Sequence, residues 1–153
     1  MSNSINIRPV EKNDLPRILH LCTLHAAYEK LPFELNGQVS RLSVDLFAKE
    51  PRLYCLVAEN EGEVIAYATY MKQYATWEAT DYLYLDCLFV LESYRSQRIG
   101  ERLMDKVKQS AARLGCGHIQ WQTPTFNEGA IKFYNRIGAH SKPKERFFLA
   151  IQI

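Results

Sequence analysis

The stretch covering residues 82–114 constrains the fold most, because it combines a β-prone run, a basic turn and an amphipathic stretch. Residues 82–90 are almost all aromatic or aliphatic, which is typical of a strand inside a sheet. From Ile99 to Leu114, apolar residues recur at helical spacing, and Gly115 then provides a common helix stop. This order predicts a β-strand, a tight turn and an α-helix.

The turn before this helix has the composition of an anion site. The first N–H groups of a helix have no partner within the helix, and the helix dipole is positive at that end. Two arginines add cationic side chains at the same place. We therefore expect this turn to bind a phosphate-like anion through Arg95, Ser96, Gln97, Arg98, Ile99, Gly100 and Glu101.

Similar patterns predict the remaining elements. Further strands are expected at residues 5–8, 53–59, 64–71, 118–122 and within 147–153. Further helices are expected from the Asp14 cap to about Tyr28, at 43–49 and at 127–137, and residues 73–81 are expected to form a loop.

This order predicts one α/β (α+β) domain over residues 1–153, with a mixed sheet and helices on both faces. The two strand–helix units that begin at Tyr82 and His118 should be parallel neighbours with a right-handed crossover. Because ligands bind outside the carboxyl ends of such strands, residues 95–100 and Asn127 are expected on one rim of the sheet.

Composition excludes several classes of function. The formal net charge is +2, which does not support nucleic-acid or membrane-surface binding. The sequence has neither a signal-peptide pattern nor an apolar run of membrane-spanning length, and its four dispersed cysteines fit a reducing compartment, so we expect a cytoplasmic protein. We expect no metal site, because the Cys116–His118 pair lacks further ligands.

Two motifs resemble the cofactor site of the GCN5-related N-acetyltransferases (GNAT family). YRSQRIGERLM is similar to the acetyl-CoA pyrophosphate turn, with Arg95 and Gly100 matching its ends and Arg98 standing where the pattern has its inner glycine. FNEGAIKFYNRIGA is similar to the second cofactor motif, in which Asn127 opens a helix and Tyr134 follows.

The resemblance implies a mostly antiparallel sheet with a parallel strand pair splayed at the acetyl-CoA site. It implies that the backbone of Leu88 and Val90 pairs with the pantetheine arm, and that Asn127, Ala130 and Tyr134 also bind the cofactor. It further implies a homodimer, to which the apolar segment FFLAIQI could contribute.

Shorter segments are similar to the spermidine/spermine (diamine) branch of this family. They are Tyr28–Glu29, YCLVAE, residues 74–77 and LYLDCLFV. Enzymes of this branch commonly have Glu-Asp where this chain has Asp86–Cys87.

Acetylation of an amine requires a proton for the leaving thiolate. A phenol has a pKa of about 10 and can protonate a thiolate whose conjugate acid is near 8.5, so Tyr134 is our candidate general acid. A tyrosine that merely packs in the core is the alternative. Asn127 could likewise serve only as a helix cap, or also bind the cofactor.

Deprotonation of the amine requires a base, because an ammonium with a pKa of about 10.4 is mostly charged at pH 7. Asp86, an acid within an apolar strand, is the leading candidate and Glu29 the second. A structural hydrogen bond is the alternative role for Asp86. For Cys87 we favour packing over a nucleophilic role. The histidines are isolated from one another in the sequence. The candidate acceptor contacts are Glu29, Glu34, Trp77, Asp86 and Cys87.

The sequence thus favours an N-acetyltransferase that moves an acetyl group from acetyl-CoA to a small-molecule amine within a ternary complex. A non-catalytic acyl-CoA-binding module and an acetyltransferase of a peptide or protein amine remain as alternatives.

Overall fold

The computed structural model describes residues 4–153. Its strands are β1 (Ile5–Pro9), β2 (Tyr54–Asn60), β3 (Glu63–Ala75), β4 (Thr80–Val90) and β5 (Ile119–Gln120). Its α-helices are α1 (Leu15–Tyr28), α2 (Gln38–Leu46), α3 (Ile99–Arg113) and α4 (Glu128–Arg136). The chain divides into two compact units at Gln122 and Thr123, so that the sheet and α1–α3 belong to the first unit and α4 to the second.

The five strands form one sheet in the order β1-β2-β3-β4-β5. Neighbouring strands are antiparallel except β4 and β5, which pair in parallel through Leu83 with Ile119 and Tyr84 with Gln120. The predicted mixed, mostly antiparallel sheet with one parallel pair is therefore confirmed.

Helices α1 and α3 cover opposite faces of this sheet. The hydroxyl group of Tyr67 in β3 lies 2.8 Å from the His25 ring of α1. The hydroxyl group of Tyr70, three residues further along β3, donates to Ser110 of α3 over 2.9 Å. Since side chains alternate along a strand, these tyrosines point to opposite faces. The apolar stripe of α3 is completely buried, as at Leu103 and Val107, each worth about 2 kcal/mol of burial.

Two predicted boundaries inside the first unit are wrong. Helix α2 begins at Gln38 rather than at residue 43, because Gly37 adopts φ 72° at its N-cap and so turns the chain into the helix earlier. The loop predicted at 73–81 is reduced to a turn at residues 76–79, since β3 and β4 continue their antiparallel pairing as far as Ala75 and Thr80. The hydroxyl group of Tyr82 donates to Gln73 across this extension.

The strand predicted within residues 147–153 is also wrong, and the one predicted at 118–122 is reduced to Ile119–Gln120. Residues 139–153 have no regular secondary structure. A strand requires a neighbour with which to pair, and the second unit contains a helix but no strand among its described residues. Phe147 and Leu149 are consequently exposed.

Candidate active site

A bulge in β4 determines where Asp86 points. Thr69 of β3 is opposite Cys87 and Tyr70 is opposite Leu85, so that Asp86 is the extra residue. A bulge locally breaks the alternation of a strand and re-aims its side chains. Asp86 is therefore exposed, although it lies in an apolar strand.

Beyond this bulge, no strand among residues 4–153 pairs with the side of β4 that faces away from β3, and we call this side the open edge of β4. The N–H group of Leu91 donates to the Ile65 carbonyl of β3, so the backbone groups of Val90 and Leu88 point away from β3. Strand β5 pairs with β4 only through its two described residues, opposite Leu83 and Tyr84. A ligand arm with amide groups fits this edge as an added strand would.

Arg95 fixes the chain that leaves β4. Its Nε–H group donates to the carbonyl oxygen of Val90 over 2.9 Å. Its guanidinium carbon lies 4.7 Å from the centre of the Tyr28 ring and 5.4 Å from that of Phe89. These cation–π contacts connect the end of α1, the edge of β4 and the turn that leads to α3.

The turn itself adopts a left-handed backbone at two non-glycine residues. Ser96 has φ 65° and Arg98, the N-cap of α3, has φ 63°. Arg98 thus adopts the conformation that the inner glycine of the motif would favour, at a cost of about 1 kcal/mol. The Arg98 side chain is 84% exposed, with Nε 3.9 Å from a Glu101 carboxylate oxygen. Buried Ile99 anchors the helix start, and the first N–H groups of α3 lie beside the exposed Arg98 cation, an arrangement that is chemically suited to an anion.

In the second unit, Asn127 forms the N-cap of α4. Its side-chain oxygen accepts from the Ala130 N–H group over 3.4 Å, and its amide donates to the Thr123 hydroxyl group over 3.1 Å. The predicted capping role of the buried Asn127 is therefore observed. Tyr134 lies half-buried on α4, with its ring centre 5.3 Å from that of Phe133.

A hydrogen-bonded chain at the end of α1 was not predicted from the sequence. His25 Nε2 lies 2.7 Å from a Glu29 carboxylate oxygen, and His25 Nδ1 lies 2.8 Å from the Tyr67 hydroxyl group. The Cys22 thiol donates to the same hydroxyl group over 3.4 Å. The i, i+4 spacing of His25 and Glu29 was a visible signal, whereas the contribution of Tyr67 from β3 depends on the fold.

The structure favours packing over nucleophilic chemistry for Cys87. Burial, with a smaller contribution from the Asp86 carboxylate, raises the pKa of the Cys87 thiol to about 12. The thiol is therefore protonated at neutral pH, whereas the thiolate is the nucleophilic form. Its sulfur lies 3.8 Å from an Asp86 carboxylate oxygen.

The predicted acceptor contacts are only partly brought together. Cys87 lies near the buried Tyr67 phenol and Asp86 adjoins Cys87, whereas Glu29 is connected to this phenol only through the His25 ring. Glu34 is exposed in the segment before α2, and Trp77 is 96% exposed at the tip of the β3–β4 hairpin. Among residues 4–153, neither side chain has a hydrogen bond or ring contact to this group.

A family model described as "Acetyltransferase (GNAT) family" matches residues 21–139. Thialysine N-epsilon-acetyltransferase of Bos taurus is 32% identical over 143 residues, which cover 88% of this chain and 84% of that protein. Spermidine/spermine N(1)-acetyltransferase-like protein 1 of Homo sapiens is 28% identical over 87% of this chain and 20% of that protein. The predicted resemblance to this family and to its diamine branch is confirmed.

Solved structures agree on the fold. Aminoglycoside N-acetyltransferase AAC(6')-Iy in complex with CoA has a TM-score of 0.80 at 19% identity, covering 95% of this chain and 94% of that one. No helix among residues 4–153 is long and apolar enough to cross a membrane.

Proposed function

Because the chain belongs to the GNAT family of acetyltransferases, whose acetyl donor is acetyl-CoA, we propose that it acetylates a primary amine of a small molecule by direct transfer within a ternary complex. The observation that carries this proposal is the open edge of β4 at Leu88 and Val90, which lies directly before the anion-binding turn. The cattle relative, named for its action on thialysine, supports a small amine as acceptor.

The proposed cofactor contacts follow from these two features. The backbone of Leu88 and Val90 binds the pantetheine arm, and the start of α3 binds the pyrophosphate. In the second unit, we assign cofactor contacts to the α4 start and to Tyr134. The complete proposed set is Leu88, Val90, Arg95, Ser96, Gln97, Arg98, Ile99, Gly100, Glu101, Asn127, Ala130 and Tyr134.

Bound acetyl-CoA supplies the thioester whose acetyl group is transferred. We assign Tyr134 as the general acid, because a phenol is protonated at pH 7 and can release its proton to a sulfur anion. A carboxylate then acts as the base through water. Asp86 is the first candidate, since its exposed carboxylate at the bulge precedes the edge proposed for the pantetheine arm, and Glu29 is the second.

The proposed acceptor surface is acidic and includes an aromatic side chain, which suits a cationic amine. Its members are Glu29, Glu34, Trp77, Asp86 and Cys87. We propose that the protonated thiol of the half-buried Cys87 packs against the acceptor and does not act as a nucleophile.

The proposal is tested by thiol release from acetyl-CoA across a panel of thialysine, polyamines, aminoglycosides, amino acids and peptides. We expect release with at least one small primary amine, together with its N-acetyl product by mass spectrometry. Release with peptides alone would instead support a peptide acetyltransferase. Tight CoA binding without release would support a non-catalytic module.

We also propose that the protein is a cytoplasmic homodimer. The exposed apolar side chains of Phe147, Phe148, Leu149 and Ile151 support self-association, because such surface is usually covered by a partner. The four free cysteines support a reducing compartment. Sedimentation of the wild type and of Phe148→Lys tests the dimer, and the variant should be monomeric.

A further inference from the structure

We propose that Glu29 and His25 form a carboxylate–imidazole pair that receives the proton lost by the acceptor amine, with Glu29 in contact with the amine and His25 as its positioning residue. This inference rests on the proposed acetyltransferase function and concerns its deprotonation step. In this proposal Glu29 replaces Asp86 as the base. The Asp86 carboxylate then serves only as a charged contact to the acceptor amine.

The contacts of His25 indicate which of its two ring nitrogens carries the proton. The Cys22 thiol donates to the Tyr67 oxygen over 3.4 Å, so the Tyr67 hydroxyl proton is available for His25 Nδ1 at 2.8 Å. His25 Nε2–H then donates to Glu29 over 2.7 Å, since an ionised carboxylate only accepts. The ring is neutral in this arrangement and its Nε2–H group orients the carboxylate.

The same contacts also suit the protonated ring. A histidine cation donates from both nitrogens, and the Tyr67 oxygen can accept from Nδ1 because a hydroxyl group is both donor and acceptor. The Tyr67 phenol keeps its own proton, because burial raises its pKa.

The pair is held firmly but remains accessible at one end. The His25 ring stacks on Phe89 of β4, with ring centres 5.0 Å apart, and its side chain is 14% exposed. The Glu29 side chain is 25% exposed, so it can meet a ligand while His25 stays behind it.

Several other ionisable groups surround this pair. Cys22 and Glu29 are on the same helix as His25, and Tyr67 faces it from β3. On the β4 side the stacked Phe89 ring also carries the Arg95 guanidinium, 5.4 Å from its centre. Cys87 and Asp86 of β4 lie beyond Tyr67, and burial keeps both the Cys22 and Cys87 thiols protonated by raising their pKa values.

The protons balance across the reaction. The acceptor ammonium gives one proton to a Glu29 carboxylate oxygen, while the His25 Nε2–H group keeps its hydrogen bond to the carboxyl group. The free amine then forms the C–N bond as the C–S bond of the thioester breaks. The second nitrogen proton replaces the one that Tyr134 gives to the departing sulfur, and the pair releases its proton to water.

The test is the pH dependence of kcat and kcat/KM, measured with the best amine of the panel for the wild type and His25→Gln. In the wild type we expect kcat to fall towards acid pH (the acid limb), where the pair takes up a proton before the amine binds. His25→Gln should lower kcat about 100-fold at pH 7, change KM for the amine less than twofold, and move the acid limb at least one pH unit lower. If His25→Gln keeps the kcat and the acid limb of the wild type, the proposal is overturned. A rise in KM of His25→Gln without a loss of kcat would also overturn it.

Three further variants complete the experiment. His20→Gln changes an exposed histidine of the same helix and should behave as the wild type. Tyr67→Phe keeps the buried ring and removes the hydroxyl group, so its acid limb should also move to lower pH, by less than in His25→Gln. Glu29→Gln should both lower kcat and raise KM for the amine. If His25→Gln fails to fold by urea unfolding, Tyr67→Phe decides, and an unmoved limb in that variant overturns the proposal.

Failure of the proposed function would look different from failure of this inference. A wild type that acetylates no amine overturns the acetyltransferase function and, with it, the proton transfer. A wild type that acetylates an amine while His25→Gln and Tyr67→Phe retain its pH profile overturns the His25–Glu29 pair alone.

Discussion

The Nε–H group of Arg95 donates to the carbonyl oxygen of Val90 over 2.9 Å. This bond connects the turn that follows β4 to the last residue of that strand, at its open edge. Since the guanidinium group also lies over the Tyr28 ring, one side chain connects the proposed pantetheine edge, the pyrophosphate turn and the end of α1.

Arg95→Ala should weaken CoA binding about tenfold, which corresponds to about 1.4 kcal/mol, because the turn loses both its anchor and a cation. Isothermal titration with CoA measures this effect. Arg17→Ala is the matched control, since Arg17 Nε also donates to a strand carbonyl, that of Val64, over 2.9 Å. The control should lose stability but keep its CoA affinity, and equal losses of affinity in both variants would contradict the role of Arg95.

Arg98→Gly should increase the free energy of unfolding by about 0.5–1 kcal/mol. Arg98 has φ 63°, which costs a side-chain-bearing residue more than it costs glycine. Urea unfolding measures the change. Lys106→Gly, at an exposed position inside α3, should instead destabilise by about 1 kcal/mol. Destabilisation of similar size in both variants would show that the left-handed turn carries no strain.

Local rules predicted the parts of the fold whose signals are local. The α3 helix and the Asn127 cap follow from periodicity and capping chemistry, and both are observed within one or two residues. The bulge at Asp86 depends on how β4 pairs with β3, which no local pattern encodes. The sequence therefore identified Asp86 as unusual but suggested an acid within the strand rather than an exposed one.

The His25–Tyr67 contact shows the same limit within the candidate site. The two residues are 42 positions apart and meet only because α1 packs across β3. The segment at residues 147–153 has strong β-propensity, and strand pairing additionally requires a neighbouring edge. Composition could therefore predict the β-propensity of this segment, but not whether a neighbouring strand edge is present to pair with it.

Tyr134→Phe should lower kcat about 100-fold and leave CoA affinity within twofold, because it removes the proposed proton donor and keeps the ring. Steady-state kinetics and CoA titration separate these two effects. Tyr82→Phe, which loses an exposed hydrogen bond to Gln73, should retain wild-type kcat. Unchanged turnover in Tyr134→Phe would contradict the assigned acid.

Asp14 should make stability depend on acidic pH. Hydrogen bonds from Arg8, the nearest at 2.7 Å, lower the pKa of this 11% exposed carboxyl group in the folded state. A lowered folded pKa stabilises the protein above the unfolded pKa, and this contribution is lost as pH falls through the folded pKa.

Asp14→Asn should therefore cost about 2 kcal/mol at pH 7, and the difference from the wild type should shrink below about pH 4. Urea unfolding at pH 7, 5 and 3 measures this. Asp105→Asn removes an exposed pair with Lys108 and should cost less than about 0.5 kcal/mol. A cost for Asp14→Asn that is the same at all three pH values would contradict the ion-pair explanation.

The most direct test of the proposed function is the initial rate of thiol release when acetyl-CoA and the best amine of the panel are both varied. Direct transfer in a ternary complex predicts intersecting double-reciprocal lines and one N-acetylated amine for each thiol released. Parallel lines with an acetylated protein, or CoA binding without thiol release for any amine, would contradict it.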